Sequence, residues 1–299
     1  MKMEKKMIES SVVSYPNRGK WGNSSYRGNC TGHIVRDFFE SFMKRKDGLV
    51  VDPSIGGGTS VDVARDMGLR FKGTDLHQGF NLLRDDLASF LGEEAHVAWW
   101  HPPYAGMLQY SGVEWGEADK WDMSRMNLQD FTEALELAIM NIHDAVERGG
   151  VYGILMGNMR KAGEYYNLSS LVERVAPGKL IDEVIKVQHN CVSDSRTYKG
   201  NLIRIAHEKL LVFRKLQASL FLLGTMERRA EAMTGITWRA AVRRVLQGGK
   251  TLHLKDINAA IEPYAKTRSN SHWAAKVRQV LQDERYFVRI EPGVYQLAA

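Results

Sequence analysis

From about Leu49 to about Lys215, short apolar runs alternate with stretches of helical period, and this alternation constrains the fold more than any other feature of the chain. GLVVDPSI reads as a buried strand, TSVDVARDMG as a helix ended by Gly68, and RFKGTDL and HVAWW as two further strands. LQDFTEALELAIMNIHDAVERGG has the pattern of a long amphipathic helix stopped by a glycine pair, and VYGILMG that of another buried strand. KLIDEVIKVQHN and LIRIAHEKLLVFRK read as a late antiparallel strand pair. Strands separated by helices imply an α/β fold with a mostly parallel sheet covered on both faces. Ligands of such sheets bind beyond the carboxyl ends of the strands, so chemistry is expected in the loops after Val51, Thr74 and Trp100.

A chain of 299 residues, 44% hydrophobic and 25% charged, can bury one large core and a second small one. The charged start MKMEKKMIESS has no apolar stretch behind it, and LQASLFLLG is far too short to cross a bilayer, so the expectation is a cytoplasmic protein without a membrane partner. Cys30 and Cys191 are the only cysteines, with no CxxC or CxxH spacing, which argues against a disulfide framework and against a metal site. The charge is unevenly placed. From Ile236 onward there are eleven basic and five acidic residues, a difference of +6 that equals the excess of the whole chain. A near-neutral body with a basic tail points to a polyanionic partner, with nucleic acid favoured.

Each of the three loops carries a distinct chemistry. In DPSIGGGTS, residues 52 to 60, consecutive glycines let the backbone approach a ligand, and the following helix N-terminus offers free amides. No Lys follows the last glycine, so this is not a nucleoside-triphosphate loop; a bare strand-to-helix turn is the other reading. Asp75 ends the next strand about 20 residues beyond the glycines, where an acid commonly accepts hydrogen bonds from ribose hydroxyls, although it could equally cap a helix. Asp85 and Asp86 follow, and Asp85 could reach the amino group of an adenine or serve as a cap. In HPPY, residues 101 to 104, the successive Pro102 and Pro103 fix the backbone and leave carbonyls free to accept. Tyr104 offers a flat ring on which a planar base could stack.

DPSIGGGTS followed by HPPY resembles the amino-methyltransferases of DNA, whose loops read DPFxGxGT and [DNS]PP[YFW]. YRGNCTGHIVRDFFESF is similar to the segment that wraps the methionine end of the cofactor in that family, and HEKLLVFRK to the last strand of its catalytic domain. The resemblance covers roughly residues 14 to 216. It implies a Rossmann-like methyltransferase fold, S-adenosylmethionine as cofactor, and double-stranded DNA with base flipping as partner. By position it assigns Asp52, Gly56 and Gly58 to the cofactor's methionine side, with Thr59 nearby and Pro53 and Gly57 in the same cofactor-binding loop. Asp75 falls to the ribose, and Asn29 and Thr31 to the methionine carboxylate. Pro102 would accept from the target amine, adenine N6 before cytosine N4, and Tyr104 would stack on the extruded base.

His101 departs from the family pattern, which has Asp, Asn or Ser at this place. A neutral imidazole accepts through one nitrogen only if the other donates elsewhere, and a protonated one cannot accept. His101 is thus an acceptor or base, or it marks weak, redirected or lost activity. In the first case transfer should rise with pH near the ordinary histidine range, about 6.5. An inactive methyltransferase fold that binds DNA, and an RNA methyltransferase, are the alternatives; a role in restriction-modification is the expected setting.

Beyond a helical linker at residues 217 to 234, residues 235 to 299 read as three short helices and a hairpin turning at Pro292 and Gly293. This segment resembles the small winged helix-turn-helix domain appended to restriction-modification and chromatin proteins. Arg268, Lys276 and Arg278 around the third helix would suit phosphates, and Trp238, Trp273 and Val277 its core. The apolar LFLL patch of the linker could pack on either domain or on a second subunit, which leaves a homodimer open.

Overall fold

A computed structural model describes residues 8–106, 108–190, 202–216, 238–246, 249–263, 267, 270–284 and 286–298. The chain divides into two compact units, residues 1–216 and 217–299. The linker patch and Arg268 lie outside the described residues.

The first unit is built on a seven-stranded sheet. In chain order the elements are β1 (Val12–Ser14), α1 (Gly32–Phe42), β2 (Leu49–Asp52), α2 (Thr59–Met67), β3 (Arg70–Gly73), α3 (Leu87–Leu91), β4 (Ala95–Trp100), α4 (Leu128–Ala145) and β5 (Val146–Gly157). A hairpin of β6 (Met159–Lys161) and β7 (Glu164–Tyr166) follows, then α5 (Leu168–Val175), β8 (Lys179–Val187) and β9 (His207–Arg214). The sheet order is β1-β8-β9-β5-β4-β2-β3. Strand β9 runs antiparallel to both β5 and β8, while every other pairing in this sheet is parallel. This is the doubly wound, Rossmann-like order, with its switch point between β2 and β4.

The strands explain their own position. All of β2 is buried, and so are Val97, Ala98, Trp99 and Trp100 of β4, because helices cover both faces. Val50, Val97 and Trp99 join the cluster of Ile34, Val35, Phe38, Phe39, Val63 and Ala64 from α1 and α2. Phe38 sits 5.4 Å from Trp99, centroid to centroid, and a Cβ on Gly153 of β5 would come within 2.5 Å of its ring. Two sequence expectations are revised at the join of α4 and β5. The helix stops at Ala145, not at the glycine pair, and β5 begins at once with Val146. The glycines lie inside the strand, where Gly149 at φ +79° absorbs a register shift against β4.

The second unit contains α6 (Trp238–Leu246), β10 (Leu252–His253), α7 (Leu254–Ile261), α8 (Trp273–Val280), β11 (Phe287–Glu291) and β12 (Val294–Leu297). Its small sheet has the order β10-β12-β11, so a short strand joins the expected hairpin. Val242, Leu246, Ile257, Ile261, Val277 and Phe287 are its buried core, whereas Trp238 and Trp273 are half-buried. Not all of its basic charge is on the surface. Arg243 is buried and lies over the ring of Tyr286, which Arg239 also covers while pairing with Asp283 at 3.6 Å. Among the described residues of the chain, no helix is long and apolar enough to cross a membrane.

Replacing Phe38 by Ala opens a cavity at the meeting of α1, β4 and β5. It should lower the unfolding free energy by about 3–5 kcal/mol in urea titration, the range for a large buried aromatic.

Candidate functional site

Three strand ends build the site. After β2 the chain turns through Asp52 to Gly58, and its backbone ties to the end of β3: Thr74 N donates to Asp52 O at 3.0 Å and Ile55 N to Thr74 O at 3.1 Å. Gly56 and Gly58 hold φ values of +47° and +81°, a region that favours glycine. Gly57 is needed for space instead, since a Cβ there would lie 2.7 Å from Asn29 Oδ1 and 2.8 Å from the Cβ of Tyr26. The segment before α1 crosses this loop, with Asn23 N donating to Gly57 O at 2.7 Å and Asn29 Nδ2 to Tyr26 O at 2.7 Å.

The acids of the first two loops are held by these turns. Asp75 is buried; its Oδ2 accepts from Gly56 N at 2.9 Å and its Oδ1 lies 2.7 Å from His77 Nδ1. Asp52 is buried and accepts from Ser54 N at 2.9 Å and from the hydroxyl of Ser60. Burial pushes its carboxyl up to about 7; the bonds from Ser60 and Ser54 resist, the charge of Asp75 adds to the rise, and His101 opposes it.

These turns enclose a cavity of about 900 Å³ that is partly open to solvent. Asn29, Asp52, Pro53, Gly56, Gly57, Thr59, Asp75, His101 and Pro103 line it, with Tyr26, Phe80, Asn81, Tyr110 and Trp115. Two buried polar atoms of its wall, Thr59 Oγ1 and Asn81 Nδ2, have no hydrogen-bond partner in the protein. Such atoms suit a ligand that brings its own donors and acceptors. A second cavity of about 1220 Å³, also partly open, is lined by Arg18, Thr31, Pro102, Tyr104, Lys186, His189 and Glu208 among others. The two cavities share Gly28, Asn29, Cys30, His101 and Tyr110.

At that shared wall the half-buried His101 belongs to a polar network that reaches the buried Glu208 and Lys186. Its Nε2 lies 3.2 Å from Tyr104 Oη and 3.7 Å from Glu208 Oε1. The Tyr104 hydroxyl donates to Glu208 Oε1 at 3.0 Å and accepts from Gly157 N at 2.7 Å; Lys186 Nζ donates to Glu208 Oε2 at 2.6 Å. Burial alone would lower the proton affinity of the ring, but Cys30 and Glu208 outweigh it and raise His101 to about 10. Burial likewise disfavours the Glu208 carboxylate, yet the charges of Lys186 and His101 hold it well below the usual range. The ordinary histidine range expected from the sequence is therefore not that of this ring.

Several assigned residues sit elsewhere. Thr31 caps α1, its hydroxyl accepting from His33 N at 3.3 Å, and it faces the second cavity only. Gly58 caps α2 and borders a third, more open depression beside His77 and Trp115. Asp85 lines none of the three cavities: it accepts from Asn81 N at 2.7 Å and pairs with Arg84 at 2.6 Å, while Asp86 caps α3. Lys276 and Arg278 are exposed on α8. Phe80, Asn81, Lys186 and Glu208 were not singled out in the sequence. Only Glu208 carried a signal, an acid at the head of an apolar strand pattern.

No family profile matches the chain, and no curated protein does. Among solved structures it is similar to TrmN from Thermus thermophilus (14% identity, 64% of this chain and 50% of that one, TM-score 0.36). It is similar also to an rRNA methylase from Streptococcus thermophilus (18% identity, 62% and 96%, TM-score 0.32). A third is the M protein of the type I restriction enzyme EcoKI (12% identity, 67% and 46%, TM-score 0.37). The chain spans about half the length of the first and less of the third. At these TM-scores the matches assign no activity to it.

The raised His101 has a consequence for stability. Between about 6.5, the range of a free ring, and about 10, the folded ring holds a proton that the unfolded chain has lost, so this contribution is full below 6.5 and disappears as pH rises through 10. In urea titrations His101→Gln should lose less stability from pH 7 to pH 10 than the parent, the difference being at most roughly 1.4 kcal/mol per pH unit.

Proposed function

We propose that the protein is an S-adenosylmethionine-dependent methyltransferase acting on the exocyclic amino group of a base extruded from double-stranded DNA, adenine N6 before cytosine N4. One observation carries this reading: the cavity of the glycine loop and the cavity of HPPY meet at His101. A cofactor in the first and a base in the second would face each other across that residue.

The first cavity fits such a cofactor through its unpaired Thr59 hydroxyl and Asn81 amide and through the acid Asp75 at a ribose-binding place. Asn29 and Gly57 would border its methionine end. The bound cofactor supplies an electrophilic methyl group on a sulfonium. The chain's own residues do the rest. Pro102, through its carbonyl, and His101, once its ring has given up a proton, would accept from the amine and draw its lone pair out of conjugation, while the ring of Tyr104, with its hydroxyl pinned by Gly157 and Glu208, would carry the base. Catalysis of this kind is positional and electrostatic.

The second unit supports DNA as the polymer. Among its described residues the order of helix, strand, helix, helix and two strands is compatible with a winged helix-turn-helix, and we assign residues 235–299 to such a domain with residues 1–216 as the methyltransferase. Lys276 and Arg278 on α8 would meet phosphates.

Labelled methyl transfer to unmodified DNA and to RNA, followed by digestion to nucleosides and mass identification, should yield N6-methyladenine from DNA. Label in RNA alone would replace the substrate, and cofactor binding without transfer would leave a DNA-binding protein on a methyltransferase fold. Gly57→Val should abolish saturable S-adenosylmethionine binding in calorimetry while the circular dichroism spectrum stays intact; normal affinity would remove the cofactor assignment. Lys276→Glu and Arg278→Glu in the full chain should each flatten the log-log salt dependence of DNA binding by about one unit if each meets a phosphate.

A further inference from the structure

Strand β9 is wedged antiparallel between β5 and β8, and its register sets Glu208 opposite both Gly157 and Lys186. The side chain of Glu208 is 7% exposed, so its charge must be compensated from within the protein. Lys186 does this at one oxygen. The other oxygen faces Tyr104 at 3.0 Å and His101 at 3.7 Å.

Counting hydrogens then fixes one nitrogen of His101. A tyrosine hydroxyl has a single hydrogen and a carboxylate has none. If the Tyr104 hydrogen pointed to His101, two acceptor oxygens would face each other 3.0 Å apart with no hydrogen between them. The hydrogen therefore lies toward Glu208, the Tyr104 oxygen takes the Gly157 N–H, and what it offers His101 is a lone pair. The hydrogen between His101 and Tyr104 must come from Nε2. Once the ring is neutral, Nδ1 is its accepting nitrogen.

We propose that Glu208, acting through Tyr104, is a positioning residue of this site: it holds the Nε2 hydrogen of His101, so that Nδ1 takes the hydrogen bond and then the proton of the target amine. This rests on the methyltransferase reading above. Nδ1 receives the proton as the nitrogen lone pair forms the N–C bond and the S–C electron pair remains on sulfur. The positive charge that enters on the sulfonium leaves on the imidazolium, which Glu208 faces, and the proton passes to solvent before the next turnover. The groups around the ring are Cys30 ahead of α1, Asp52 at the end of β2, Tyr104 in its own loop, Glu208 on β9 and, behind Glu208, Lys186 on β8. Their balance leaves the ring protonated at neutral pH, so a cation in the adjoining cavity favours release of the Nδ1 proton before transfer.

The test is a two-bond proton–nitrogen correlation spectrum of the full chain labelled at histidine nitrogens, recorded across pH, with His101→Gln assigning the signal. The parent should titrate well above about 6.5 and show the Nε2–H tautomer when neutral. In Glu208→Gln the midpoint should fall by roughly two pH units or more, and the single tautomer should be lost. Because that variant leaves the Lys186 ammonium facing an amide, Glu208→Gln/Lys186→Met provides a second form without either charge, and the same shift is expected. Single-turnover methylation should follow, its pH midpoint moving with the ring's, while S-adenosylmethionine affinity stays within about threefold of the parent, the cofactor lying in the other cavity. An Nδ1–H tautomer in the parent, or an unchanged midpoint in both variants, overturns the proposal. If methylation proceeds with a pH profile that ignores the midpoint of the ring, the proposal falls and the methyltransferase reading stands. If no nucleic acid is methylated while the spectra behave as expected, that reading falls and Glu208 remains the residue that orients His101.

Discussion

Burial of the central strands on both faces is the constraint from which the site follows. Val50, Val51, Val97, Ala98, Trp99 and Trp100 leave no room for polar chemistry within the sheet, so polar groups can gather only where strands end. Between β2 and β4 the winding reverses, and helices on opposite faces part there. Asp52, Asp75 and His101, far apart along the chain, are the residues that stand at this opening.

The antiparallel β9 adds what a purely parallel sheet would lack. It delivers an acid to the side of HPPY that the glycine loop does not reach, and it pairs that acid with a lysine from the next strand. Low-dielectric surroundings make each of these charges depend on the others. Glu208 stays ionised because of Lys186 and His101; His101 holds its proton because of Cys30 and Glu208; Asp52, with only neutral donors directly on it, is driven the other way by burial. A substitution at any one of them is felt as a change in the proton affinity of the rest.

Much of this was legible in local pattern. The strands β2, β3 and β4, helix α2 with its Gly68 stop, and the three helices and hairpin described in the second unit fall where apolar period and glycine position indicated. The glycine loop and HPPY could be recognised because each packs a turn's requirements into a few adjacent residues. Helix α4 was overrun because VERGG satisfies a helix-stop pattern equally well inside a strand that needs Gly149 at positive φ. The place of Asp85 was not legible, because an acid beside Arg84 at the mouth of a helix looks the same whether it meets a ligand or a backbone amide.

The sequence by itself determined the doubly wound class, the loops that carry chemistry and the excess of basic charge in the tail, because each is written in residues close along the chain. Tertiary structure alone decided which cavity each loop residue faces, that Arg239 and Arg243 partly withdraw into the tail's own packing, and which groups set the proton of His101. The physical reason is distance. Glu208 stands 107 positions beyond His101 in the numbering, and only strand register brings the two to 3.7 Å, where burial makes a charge decisive.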